Sequence, residues 1–101
     1  MIAAISIEPI GQGRSLSKYI ARVTEIVEQS GLEYQLNNMN TEVYGEWGEV
    51  MDIVEKCHYA VLKEAGRVIT HITIDERSDK KYGLGDKIRA VERILGREVK
   101  K

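Results

Sequence analysis

The sequence predicts an α+β fold in which two helices cover one face of a four-stranded antiparallel sheet. Two observations carry this expectation. Apolar residues recur with a period of two in some segments and of three to four in others, in the order strand, helix, strand, strand, helix, strand. Glycines stand at the points where both helical patterns stop, and a polar turn joins the two middle strands as a hairpin.

The first strand is Ile2 to Ile7, where Ala3, Ile5 and Ile7 alternate with Ile2, Ala4 and Ser6. Both sets are largely apolar, which places the strand centrally; Pro9 and Gly11 end it. Ser15 is the expected cap of a helix carrying Leu16, Tyr19, Ile20, Val23, Ile26 and Val27 on one face and closing at Gly31. Glu33 to Asn38 and Thr41 to Glu46 are the hairpin strands, with Asn40 suited to a left-handed turn position. Gly48 is the expected cap of a second helix whose stripe is Val50, Ile53, Val54, Cys57, Val61 and Ala65, ending at Gly66. Val68 to Asp75 alternates again as a fourth strand, Ser78 to Gly83 is a polar loop, and Leu84, Ile88, Val91 and Leu95 share one face of a last helix.

This order is the ferredoxin-like βαββαβ arrangement with an extra C-terminal helix, and residues 1–101 are expected to form one such domain. Ala3, Ile5, Ile7, Val43, Val68, Ile72 and Ile74 are assigned to the covered face of the sheet. Ile2, Ala4, Ser6, Gln35, Met39, Tyr44, Ile69, His71 and Thr73 are left on the other. That second face is too apolar for open water, so a homo-oligomer, dimer or tetramer, is expected to bury it.

A formal net charge of -1 lacks the basic footprint that phosphate backbones require, which argues against nucleic acid. The open-face positions Ile2, Ala4, Ser6, Glu8, Glu42, Tyr44 and Glu46 also offer one aromatic ring for base stacking, beside carboxylates. No apolar run reaches the roughly 20 residues of a membrane span. The single cysteine, Cys57, cannot form an internal disulfide, and no basic and apolar leader stands at the N-terminus, so a cytoplasmic location is expected.

No catalytic or metal constellation can be assembled. Cys57 and His58 are adjacent on a helix and point apart, and His71 is a lone histidine on a sheet face. Gly11-Gln12-Gly13 matches no phosphate-binding pattern and reads as a flexible turn. Trp47 is the one tryptophan in a chain without phenylalanine, and Glu46 and Glu49 flank it. It reads equally as core or as a face for a flat cationic ring, with Asn38, Thr41 and Thr73 supplying directional hydrogen bonds.

Met39-Asn40-Thr41, Gly45-Glu46-Trp47, Glu49-Val50-Met51, Arg67-Val68-Ile69-Thr70 and Ile74-Asp75-Glu76-Arg77 resemble the signature segments of the small thiamine-binding protein family, in the YkoF-like superfamily. The resemblance spans nearly the whole chain. Asn40, Tyr44 and Gly48 depart from the family's usual glycine, glutamate and aspartate. The resemblance implies a ferredoxin-like fold, assembly into dimers and tetramers, and cytoplasmic binding of thiamine or its hydroxymethylpyrimidine moiety without catalysis or a cofactor. For such a ligand, the polar positions near the hairpin combined with the neighbouring strand of the predicted sheet single out Ser6, Asn38, Thr41, Trp47, Thr73 and Asp75 as ligand-binding residues, while Thr41 reads equally as a turn residue, Trp47 as core and Asp75 as an ion-pair partner of Arg77. The rival reading is an oligomeric structural or regulatory protein that senses a different small ligand.

Overall fold

Strand β1 (Ile2–Pro9) organises the sheet. In the computed structural model, which describes residues 1–101, it runs between β3 (Thr41–Tyr44) and β4 (Val68–Asp75), with β2 (Glu33–Leu36) outside β3. The order β2-β3-β1-β4 is antiparallel at every step. Helices α1 (Ser17–Ser30) and α2 (Trp47–Ala65) supply the cover, and α3 (Asp86–Leu95) follows β4. This is the expected ferredoxin-like α+β architecture. No helix is long and apolar enough to cross a membrane.

The core follows from the period-two and period-3.6 patterns meeting face to face. Ala3, Ile5 and Val43 of the sheet pack with Val23 and Val27 of α1 and with Val50, Cys57 and Val61 of α2. Each of the larger side chains contributes about 1.5–3 kcal/mol by leaving water. At Gly45 the Leu32 side chain packs close to the backbone, and its terminal methyl, 2.9 Å from where a Cβ would lie, would have to shift to admit one. His58 Nδ1 sits 2.7 Å from Thr70 Oγ1 and ties α2 to β4.

Several boundaries differ from expectation. β1 continues to Pro9, while β2 stops at Leu36 and β3 at Tyr44. Asn40 is not left-handed, because no residue other than glycine has a positive φ. The Asn37 N–H donates to the Asn40 C=O at 2.9 Å, and the Asn37 side-chain amide donates to Asn40 Oδ1 and Glu42 Oε1, so side-chain bonds hold the turn. Neither Ser15 nor Gly48 caps a helix. Leu16 precedes α1 without a side-chain cap, and Glu46 starts α2 in a capping box with Glu49, whose carboxylate accepts the Glu46 N–H. Ile72 shares the helix side but stays 38% exposed at the sheet margin, and Met39 lies at the hairpin tip rather than on the open face.

Helix α3 buries none of its residues. It overhangs part of the open sheet face, enclosing a cleft of about 510 Å³ between Ile2, Ala4 and Thr73 on the sheet and Ile88 and Val91 on the helix. A radius of gyration of 15.2 Å, against about 13 Å for a compact chain of this length, reflects the elongated outline.

Cys57 makes a chemical prediction of the core. Burial pushes its thiol from the ordinary 9.0 up to about 11, because the thiolate cannot be solvated there. A disulfide reagent at pH 8 is expected to leave the native protein unmodified and to react at once in denaturant. Between pH 9.0 and about 11 the unfolded thiol ionises first, so this group makes the fold less stable as pH rises. Rapid labelling of the native protein would contradict both statements.

Candidate ligand-binding cleft

A difference in strand length creates a cavity at one end of the sheet. Met1 and Gly45 exchange both main-chain hydrogen bonds, at 2.9 and 3.1 Å, which fixes the odd-numbered residues of β1 as those whose N–H and C=O point toward β3. Ala3 and Ile5 therefore bond Val43 and Thr41. β3 starts at Thr41, so Ile7 has no partner on that side. The Ile7 N–H and C=O, with the Pro9 C=O beyond, are left as an open stretch of strand edge.

A cavity of about 220 Å³ occupies this gap, bounded by Ile5–Pro9, the start of α1 and the turn Leu36–Thr41. Leu16, Tyr19 and Ile20 give it an apolar wall. The Tyr19 hydroxyl donates to Gln12 Oε1 at 2.8 Å, and Gln12 Nε2 donates to the Ala65 C=O at 3.2 Å, so the β1–α1 loop is pinned to the end of α2. Backbone donors and acceptors against a rigid apolar wall are the ingredients of a small-ligand site.

Of the residues singled out from the sequence, Ser6, Asn38 and Thr41 meet at this cavity. Thr41 is 6% exposed, whereas Asn38 is on the exposed turn. Ser6 borders the cavity, but its alternation with Ile5 and Ile7 turns the side chain to the open face. There its hydroxyl lies 3.5 Å from Glu8 Oε1. Thr73 and Asp75 lie elsewhere, in the cleft beneath α3 with Glu42 and Tyr82. Trp47 borders neither space; it opens α2 and is 59% exposed. Tyr19 and the free main-chain edge of Ile7 were missed by sequence reasoning. Tyr19 read as a helix core residue, and an unpaired main-chain group has no residue type to betray it.

Ser6, Glu8 and His71 are neighbours on the open face, yet they do not form a catalytic relay. His71 Nε2 is 3.9 Å from Glu8 Oε2, and the Ser6 hydroxyl is directed to the same carboxylate rather than to the imidazole. The histidine is thus not hydrogen-bonded to the hydroxyl it would have to activate.

The sequence profile of the thiamine-binding protein family matches residues 3–92. The chain belongs to this family. UPF0045 protein MJ1052 of Methanocaldococcus jannaschii is 33% identical over 91 residues, covering 90% of this chain and 91% of that protein. UPF0045 protein YqgV of Bacillus subtilis is 38% identical over 100 residues, covering 93% and 96%. The crystal structure of hypothetical protein MJ1052 superposes with a TM-score of 0.85 over 89% of this chain and 93% of its own. The family thus rests on the sequence match and the fold agrees with that of a solved relative, and the family's description points to a small-molecule ligand.

Proposed function

We propose that this thiamine-binding family member is a non-enzymatic, cytoplasmic binding protein for thiamine or its hydroxymethylpyrimidine moiety, with the pyrimidine ring seated in the gap between β1 and the β2–β3 turn. The observation that carries this reading is the unpaired edge of Ile7. Its N–H and C=O present a donor beside an acceptor, and an aminopyrimidine presents the complementary acceptor and donor side by side. Asn38 and Thr41 add hydrogen bonds from the turn, and Tyr19 and Leu16 form the apolar wall. The volume of about 220 Å³ falls below the roughly 300–1,000 Å³ of drug-sized sites, which suits one ring better than the two of intact thiamine. No cofactor is needed for this role. The single unpaired cysteine suits a reducing compartment. The half-exposed apolar residues of the open face support assembly into dimers or tetramers.

A second reading is favoured by the cleft beneath α3. Its carboxylates, Glu42 and Asp75, and the hydroxyl of Thr73 over an apolar floor suit a different, cationic ligand, with the oligomer acting as a structural or regulatory device. Isothermal titration with hydroxymethylpyrimidine, thiamine, thiamine phosphates and a panel of amino acids separates the two. Heat with the pyrimidine, and no turnover of it, is expected. Silence with every thiamine-related compound at concentrations able to detect micromolar binding would overturn the proposal, and conversion of the ligand would make the protein an enzyme.

A further inference from the structure

Three large apolar side chains that border the cavity between β1 and the β2–β3 turn are left in water. Ile20 of α1 is 47% exposed, Leu36 at the end of β2 is 46% exposed, and Met39 of the turn is 89% exposed. They come from three separate segments and meet at this cavity, so they form the rim at which it opens to solvent. Single apolar residues scattered over a surface are ordinary, whereas apolar residues gathered around one mouth mark a surface that becomes covered.

The turn decides which of the three can supply the cover. Its base is fixed: the Asn37 N–H donates to the Asn40 C=O at 2.9 Å, and the Asn37 side-chain amide donates to Asn40 Oδ1 at 2.9 Å and to Glu42 Oε1 at 3.2 Å. These bonds run below the tip and leave the Met39 side chain unheld. Ile20 and Leu36 are branched and stand on a helix and a strand, which limits their rotamers. Methionine is unbranched, turns about three side-chain bonds, and carries a polarisable thioether that makes favourable contacts with aromatic rings. Met39 thus reaches the mouth by side-chain rotation alone, on a backbone that stays in place.

We infer that Met39 is a specificity-determining gate, whose side chain folds over the mouth toward Ile20 and Leu36 once a flat heteroaromatic ring is seated. It covers the part of the ring that the wall of Leu16 and Tyr19 leaves open. The inference rests on the pyrimidine reading of this cavity given above. A thioether cover offers no strong hydrogen-bonding group, so it favours an aromatic ring over a polar, non-aromatic molecule of the same size. The ligand cannot leave until the side chain swings out, which places the contribution of Met39 in the dissociation rate.

Two variants and one spectroscopic readout test this. Met39→Gln keeps the unbranched shape and replaces the thioether with an amide, and Met39→Leu keeps an apolar side chain of similar volume. The position is exposed in the free protein, so thermal unfolding of both variants should match the unmodified protein. Met39→Gln is expected to bind hydroxymethylpyrimidine about tenfold more weakly, through faster dissociation, while Met39→Leu stays within about threefold. Of the three methionines, Met1 is buried and Met51 half-buried, so in protein labelled at the methionine methyls the Met39 signal should be the sharp one, identified by its loss in Met39→Leu. Saturation with hydroxymethylpyrimidine is expected to move that signal together with the Ile7 amide. A moved Ile7 amide with an unmoved Met39 methyl, or full affinity in Met39→Gln, would overturn the gate and leave the pyrimidine site standing. No change at Ile7 would overturn the site and the gate together.

Discussion

Ile5→Ala is expected to lower the stability of the protein by about 2–5 kcal/mol, the cost of removing a buried aliphatic side chain and leaving a void. Ile5 is 3% exposed on the central strand and is paired on both sides, with Thr41 and with Ile72. The sheet cannot collapse around the loss without moving two other strands, so the upper part of that range applies. Ile5 also borders the cavity between β1 and the β2–β3 turn, which the substitution enlarges. Urea unfolding followed by circular dichroism measures the effect. A midpoint within experimental error of the unmodified protein would show that β1 is not the element on which the core is built.

The largest effect on ligand affinity is expected from removing both turn groups together. Asn38→Ala with Thr41→Val deletes two hydrogen-bonding side chains that border the cavity and keeps the shape of the more buried one, Thr41. Each net hydrogen bond is worth about 0.5–1.5 kcal/mol, so the pair should weaken pyrimidine binding by about 1–3 kcal/mol, or roughly five- to 150-fold. Titration calorimetry reads this directly, and thermal unfolding of the same variant checks that the fold survives. Full affinity in the double variant would move the ligand off the turn.

The α+β architecture was legible because its signals are periodic and repeated. The β1, α1, α2 and β4 patterns each carry several apolar residues in register, and Gly31 and Gly66 end both helices in the left-handed conformation expected of them. The helix starts were less legible, because Ser15 and Gly48 are good caps in isolation while the Glu46–Glu49 capping box satisfies α2 better. Asn38 and Thr41 could be found because polar residues cluster at the hairpin. The role of Ile7 could not, since it depends on β3 beginning at Thr41 while β1 runs on to Pro9. Thr73 and Asp75 were drawn into the same site because they share a sheet with it. The register places them opposite Ala4 and Ile2, toward the other end of β1 from the cavity. Trp47 attracted a ligand role by its rarity, yet the first position of α2 leaves it facing solvent.

The location of the ligand is the claim on which the functional account turns, and amide chemical shifts of the isotope-labelled protein titrated with hydroxymethylpyrimidine test it most directly. Shifts are expected to centre on Ile7 and Glu8, on Asn38 to Thr41 and on the first turn of α1, with the Ile7 amide among the largest. Shifts centred instead on Thr73, Asp75 and the segment from Tyr82 to Val91 would place the ligand beneath α3 and contradict the site proposed at the unpaired edge of β1.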